Sequence, residues 1–397
     1  MPDLDLERID SAFTGFAASA VTRVVAPGAA AVAATYRHRR RTRAAAAGVV
    51  ALVLAASTAG YAAWHGHRTT ATPTPVDTPM PSPSGPDFEQ PPDLPTAACT
   101  VSTLPLPPGV DGPTDLDQVV ADPTGRYVVA SFSKSGAGAT IVMWDHGTPS
   151  ILAVPGADAD IVGVSSGGTV VGGGESSTLP GWQFRDGRLT PLATVGDEVA
   201  SPLAVNGAGD IVGYLHGGYT VSTPVRWPAG QPDVVVPFDG MPNGQAEGVD
   251  ADGTAVGTGG LDSYVWYANG TDVKLSVPAG YLGGATRIAR PWAVGGIGPR
   301  THDSASPAFW NLSTGSITVL PYRFVAFTAV TPDGTAAGVY TWLGGQRAVL
   351  YRDGVLSQLP TTPVVADSSV FDAASAMTPD GHTIIGQSNF SVAVWHC

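Results

Sequence analysis

Glu247 and Arg287 are the residues of this chain whose types and placement best suit contact with a ligand. Each stands two residues before the residue that leads the first turn of its repeat, where the other repeats carry Val119, Val162, Leu203, Thr328 and Ser375. Opposite charges at equivalent places in adjacent repeats can meet as an inter-repeat salt bridge, because a buried charge demands a partner. Alternatively they form a polar anchor for a ligand entering a central channel. Arg290 and Trp292 follow in an irregular stretch that also holds Arg300 and His302, and they complete the set of candidate ligand-binding residues.

Reactive constellations are not apparent. The sequence shows no Ser-His-Asp spacing, no Cys or His metal pattern, no phosphate loop and no glycosidase signature. No catalytic residue, metal ligand or cofactor is therefore predicted. Asp250 and Asp252 begin an Asp-x-Asp-Gly run, but Thr254, Ala255 and Val256 follow without completing carboxylates, so a β-turn is expected in place of a calcium loop. His146, His216, His302, His382 and His396 fall in different repeats and read as solvated turn residues.

The elements that must position these residues are set by a repeat. Seven aromatic residues, Trp144, Phe184, Trp227, Trp266, Trp310, Tyr351 and Trp395, each end a short apolar run and precede a turn. Between them recurs a β-branched residue, a turn, Gly and then Val or Ala. The third copy reads Val205-Asn206-Gly207-Ala208-Gly209-Asp210-Ile211-Val212-Gly213. Successive turn glycines Gly125, Gly168, Gly209 and Gly253 lie 43, 41 and 44 residues apart, the period of a four-stranded propeller blade. The copy near Arg290 has lost its turn glycine. With 50 Gly, 35 Pro and 13% charged residues, the chain suits short strands and tight turns. An all-β, seven-bladed propeller is predicted over 99–397. Its aromatics should pack between blades, and Gly172, Gly213, Gly257 and Gly338 should permit close approach of neighbouring blades.

The ends of the repeat array are complementary. The last copy stops two residues after Trp395 and lacks a final strand, while the segment from Cys99 to Pro105 matches the end of the sixth copy, Gly354 to Pro360. That alignment puts Cys397 at the place of Asp353 and Cys99 at the place of Gly354, which are neighbours in a hairpin turn. The only two cysteines thus fall where other blades have a covalent turn, and a disulfide between them is predicted to close the ring.

Two further features carry a resemblance. The third copy, continuing to Tyr214 and followed by Pro224-Val225-Arg226-Trp227, resembles the HAF-type extracellular repeat. The turns Thr331-Pro332-Asp333-Gly334 and Thr378-Pro379-Asp380-Gly381 are similar to those of WD40-like and TolB-like propellers. The resemblance covers 99–397 and implies the architecture, with no single function attached to it.

Ahead of the propeller, 44–64 is 21 residues without a charge, long enough at about 1.5 Å per residue to span a hydrocarbon core of about 30 Å. Arg37, Arg39, Arg40, Arg41 and Arg43 crowd its N-terminal side against Arg68 on the other, so 1–43 is predicted to be cytoplasmic and the rest external. A cleaved signal, giving a secreted protein, is the alternative. Residues 65–98 read as an extracytoplasmic Pro/Thr-rich linker, with nine Pro between 69 and 98, extended and semi-rigid. Residues 99–397 hold 25 acids against 12 bases, a surface that repels phosphate backbones and excludes nucleic acid as a partner.

These readings predict a non-catalytic binding or scaffold module on a single-pass anchor, with a protein or cell-wall glycan as partner. Two alternatives stand beside it. One is an extracytoplasmic propeller enzyme acting on glycan, a lyase or hydrolase using Glu247, Arg287 or His302. The other is a transmembrane sensor.

Overall fold

The computed structural model describes residues 93–110, 116–133, 139–154, 160–173, 180–217, 222–238, 243–299, 305–342, 345–363 and 371–397. The predicted segments 1–43 and 44–64, most of the linker, and Arg300 and His302 lie outside them. Among the described residues no helix is long and apolar enough to cross a membrane.

Seven antiparallel sheets of four strands follow one another in sequence order. Blade 1 runs from Leu116 to Leu152, blade 2 from Ile161 to Pro191, blade 3 from Val199 to Pro237 and blade 4 from Gly244 to Lys274. Blade 5 spans Tyr281 to Val319, and blade 6 spans Val325 to Gln358. Blade 7 takes three strands between Asp372 and His396 and borrows its outermost strand, Thr100–Thr103, from the other end of the chain. The innermost strands pack side by side around the axis, with blade 7 meeting blade 1, so the ring is closed.

The borrowed strand sits in the register expected from the sequence. Val101 pairs with Trp395 and Thr100 with His396, as Leu356 pairs with Tyr351 and Val355 with Arg352 in blade 6. One step further along, Cys99 and Cys397 form the disulfide, their Cα atoms 4.2 Å apart, close to the roughly 3.8 Å of residues joined by a peptide bond. Residues 95–97 run beside blade 6 before reaching this seam. The Gln358 amide donates to Pro95 O at 2.8 Å, the Ala97 amide donates to Gln358 O at 2.8 Å, and Leu94 packs into the cluster between blades 5 and 6.

The hydrophobic core is divided into seven clusters, one in each interface between adjacent blades. Six of the seven repeated aromatics are buried there and Tyr351 is half-buried. Four indoles also make a polar bond across the interface. Trp144, Trp227, Trp310 and Trp395 donate Nε1–H to the carbonyls of Pro105, Ala193, Ser276 and Pro360, each just past the outermost strand of the preceding blade. The recurring Leu-x pair after that strand is thereby explained: Leu104, Leu192, Leu275 and Leu359 fill the core and the next residue presents the acceptor. Of the tryptophans outside the repeated position, Trp182 is fully buried, while Trp292 and Trp342 are half-buried.

Every innermost strand carries a β-bulge opposite its second strand. The bulge gives the recurring glycines a different reason from the one expected. A Cβ on Gly257 would lie 1.9 Å from Gln245 O, and one on Gly213 would lie 2.1 Å from Ser201 O. The obstacle is the bulged backbone of the same blade, not a neighbouring blade.

Candidate functional site

The bulge fixes which residue of each innermost strand falls out of the ladder with the second strand. In blades 2 to 7 the extra residue is Val162, Leu203, Glu247, Thr286, Thr328 and Ser375. Arg287 is therefore not the register equivalent of Glu247. It pairs with Val294, one step beyond the bulge, at the place Gly248 occupies in blade 4. The offset arises because blade 5 replaces the five-residue turn with the two residues Arg290 and Pro291, joined by a cis peptide bond.

Glu247 and Arg287 nevertheless lie close enough for their charges to interact, on adjacent innermost strands. They do not form the predicted salt bridge. Arg287 donates Nε–H to Thr328 O at 3.0 Å in blade 6, and Nη1–H to Thr286 O at 2.7 Å and to Glu247 O at 3.2 Å. These are backbone carbonyls, so the guanidinium ties three blades together. Thr328 extends the belt, its hydroxyl donating to Ala374 O of blade 7 at 2.8 Å. Glu247 is 7% exposed, and its Oε1 is buried with no hydrogen-bond partner. Burial pushes its carboxyl up to about 7, with the Arg287 charge pulling the other way. Burial likewise lowers the guanidinium from its ordinary value, and Glu247 offsets part of that.

Arg290 and Trp292 are in another place. Arg290 forms an ion pair with Asp252 in the first turn of blade 4, and its Nε lies 3.3 Å from Asp250 Oδ2, which also accepts the Arg290 amide at 3.1 Å. The Asp-x-Asp-Gly run is the β-turn expected, with Gly253 N donating to Asp250 O at 3.0 Å. Trp292 lies against the turn glycine Gly334 of blade 6 and edge-on to Phe309. Both residues belong to a circle of contacts between first turns. Its other members include Ser166 Oγ donating to Asp122 Oδ2 at 2.8 Å, Ser166 N to Gly207 O at 3.1 Å, and Asn206 Nδ2 to Asp250 O at 2.8 Å. Loss of the turn glycine in blade 5 is thus made good by an arginine that reaches back to its neighbour.

A second buried polar group escaped sequence reasoning. Asp372 opens the innermost strand of blade 7, is buried, and leaves Oδ2 unpartnered, while Oδ1 accepts the Asn389 amide at 3.2 Å. Burial raises its carboxyl above the usual range, although the Ser388 hydrogen bond opposes this. No signal in the repeat marks it, because it lies at the strand end where copies differ. Among the described residues no cluster of His, Cys, Asp or Glu is arranged to hold a metal ion.

Comparison with known proteins reaches the fold alone. No protein family matches the chain, and no curated protein matches it. An oligogalacturonate lyase in complex with manganese superposes with a TM-score of 0.50 at 12% identity, covering 76% of this chain and 94% of that one. The oligogalacturonate lyase of Vibrio parahaemolyticus gives 0.47 at 9% identity, over 77% and 98% of the two chains. The β-propeller domain of the Trilobed protease from Pyrococcus furiosus gives 0.44 at 11% identity, over 68% and 91%.

Proposed function

We propose that the chain is a membrane-anchored protein whose propeller stands outside the cytoplasm and binds a protein or a cell-wall glycan without catalysis. The observation that carries this reading is the Cys99–Cys397 disulfide at the only break in the ring. Such a bond persists in an oxidising exterior and is removed in a reducing cytoplasm. The two faces of the ring support the binding role. First turns and outer hairpin turns share one face, where neighbouring blades are bonded to each other. The opposite face carries connections that differ from blade to blade, from the pair Asn389 and Phe390 to the stretch between Pro191 and Val199, and such variable loops on a rigid scaffold are where binding surfaces are built.

A photo-crosslinking amino acid in the full-length chain tests this in intact cells. Leu261, exposed on the variable face, should yield an adduct with the partner, and Asn269, in a tight turn on the other face, should not. Equal yields from both positions, or sulfurs reduced in protein taken from cells, would overturn the reading. One observation favours a second reading, an enzyme acting on glycan: a carboxyl near 7 is poised for proton transfer at neutral pH. Polysaccharide turnover that disappears in Glu247→Gln would establish it in place of the first.

A further inference from the structure

We infer that Glu247 is a proton-operated latch on Arg287: the protonated acid leaves the guanidinium on the carbonyls of blades 4, 5 and 6, and the carboxylate draws it off Thr328. This goes beyond the proposed function and does not depend on which partner the propeller binds.

The geometry is that of a guanidinium with two competing seats. In the first it holds Glu247 O, Thr286 O and Thr328 O. The second is the carboxylate of Glu247 itself, whose charge already interacts with the guanidinium and whose main-chain oxygen Arg287 already touches. A guanidinium–carbonyl bond is charge-assisted through its donor alone, whereas a guanidinium–carboxylate bond carries charge on both partners and adds their Coulomb attraction. A bare Glu247 carboxylate with an unpartnered buried oxygen therefore outcompetes the carbonyl of Thr328, while a protonated acid does not. Leaving that oxygen unpaired in its ionised form would cost on the order of several kcal/mol in so buried a place.

The surroundings leave Arg287 as the group in control. The strands packed against Gly244–Val249 carry Tyr214 and His216, Arg226, and Tyr281 with Arg287, and neither Val199–Val205 nor Ala255–Gly259 carries a titratable side chain. Of these groups, Arg287 is the one whose charge acts on the Glu247 carboxyl. Thr328 is bonded onward to Ala374 of blade 7, so releasing its carbonyl opens the inner belt between blades 5 and 6. The proton exchanges with solvent, and no covalent change is involved.

The chain has five glutamates, so carboxyl-labelled glutamate in the full-length protein gives a readable carbon NMR spectrum, in which Glu247→Gln identifies one resonance by its loss. That resonance should titrate with a midpoint of about 7, against about 4.3 for an ordinary glutamate. The Arg287 Nε–H signal, assigned by its loss in Arg287→Lys, should move across the same midpoint and should stay at its acid-pH position throughout in Glu247→Gln. Arg287→Met should raise the midpoint further by removing the attracting charge, which keeps the idea testable if the glutamine variant does not fold. An ordinary midpoint, an Arg287 signal unmoved between about pH 5 and pH 9, or a midpoint indifferent to Arg287→Met would each overturn the latch.

Discussion

The Trp227 indole donates to Ala193 O at 2.8 Å across the interface between blades 2 and 3, whereas Trp266, at the same place in blade 4, is equally buried and has no acceptor for its Nε1–H. Its ring stacks on Phe238 at 5.0 Å instead, the residue that follows Pro237 in blade 3. A net hydrogen bond contributes about 1 kcal/mol, and an unpaired buried donor costs about as much or more. Trp227→Phe and Trp266→Phe both lose buried volume and leave a cavity, and Trp227→Phe should lower the unfolding free energy by about 1 kcal/mol more than Trp266→Phe, the part owed to its hydrogen bond. Urea unfolding of the two variants checks the contrast.

Adjacent glycines in blade 5 should respond in opposite ways to one added methyl group. A Cβ on Gly295 would fall 1.8 Å from Gly284 O, and one on Gly296 would meet nothing nearer than the Ala305 side chain at 3.4 Å. Gly295→Ala is expected to lose more than about 3 kcal/mol through displacement of the bulge, the range of severe core mutations. Gly296→Ala should change stability by under about 1 kcal/mol. Thermal melts compare them directly.

These bulges mark the limit of what the residues alone disclose. The blade count, the aromatic positions and the seam were all readable, because the repeats impose a period and because Cys99 and Cys397 align to neighbouring turn positions. The place of Arg287 was not readable. Counting back from the turn assumes turns of equal length, and the shortened turn at Arg290 and Pro291 moves the whole strand by one. Nor does the repeat reveal that Glu247 Oε1 lacks a hydrogen-bond partner, since that depends on where the arginine's five donors go in three dimensions. Nor does the irregular copy reveal that Arg290 reaches back to Asp250 and Asp252 in the first turn of blade 4.

Stability should fall as pH rises from mildly acid to neutral, and Glu247 sets the sign. Its carboxyl is raised from 4.5 to about 7 in the folded chain, so the folded state holds the proton more tightly than the unfolded one. The associated stability is complete below about pH 4.5 and is lost progressively up to about pH 7. The shift corresponds to on the order of 3 kcal/mol. Raised Asp372 adds to the same trend. Glu247→Gln should flatten much of the decline, and the difference between the two unfolding curves at pH 5 and pH 8 measures it.

Reduction of the disulfide should destabilise the ring without changing its strands. Closing a loop of 298 residues contributes on the order of 5 kcal/mol on the chain-entropy model. Cys99→Ala together with Cys397→Ala should therefore lower the denaturation midpoint substantially, and reductant should have no effect on that double variant. Chemical unfolding with and without reductant gives both measurements.

Arg290→Ala should behave as the loss of a surface tie. Its ion pairs with Asp250 and Asp252 are part-exposed, so the variant should lose about 1 kcal/mol or less and leave the crosslinking yield at Leu261 unchanged. A loss of binding at unchanged stability would return Arg290 to the site.

The run of residues 94–97 along the rim of blade 6 bears on how the protein carries tension. A pull arriving through the chain ahead of Leu94 is met first by the two main-chain bonds to Gln358. If they yield, the load passes at Cys99 directly into Cys397. Strand Thr100–Thr103 lies beyond that junction, so the cross-link shields it from being peeled off Ser391–His396.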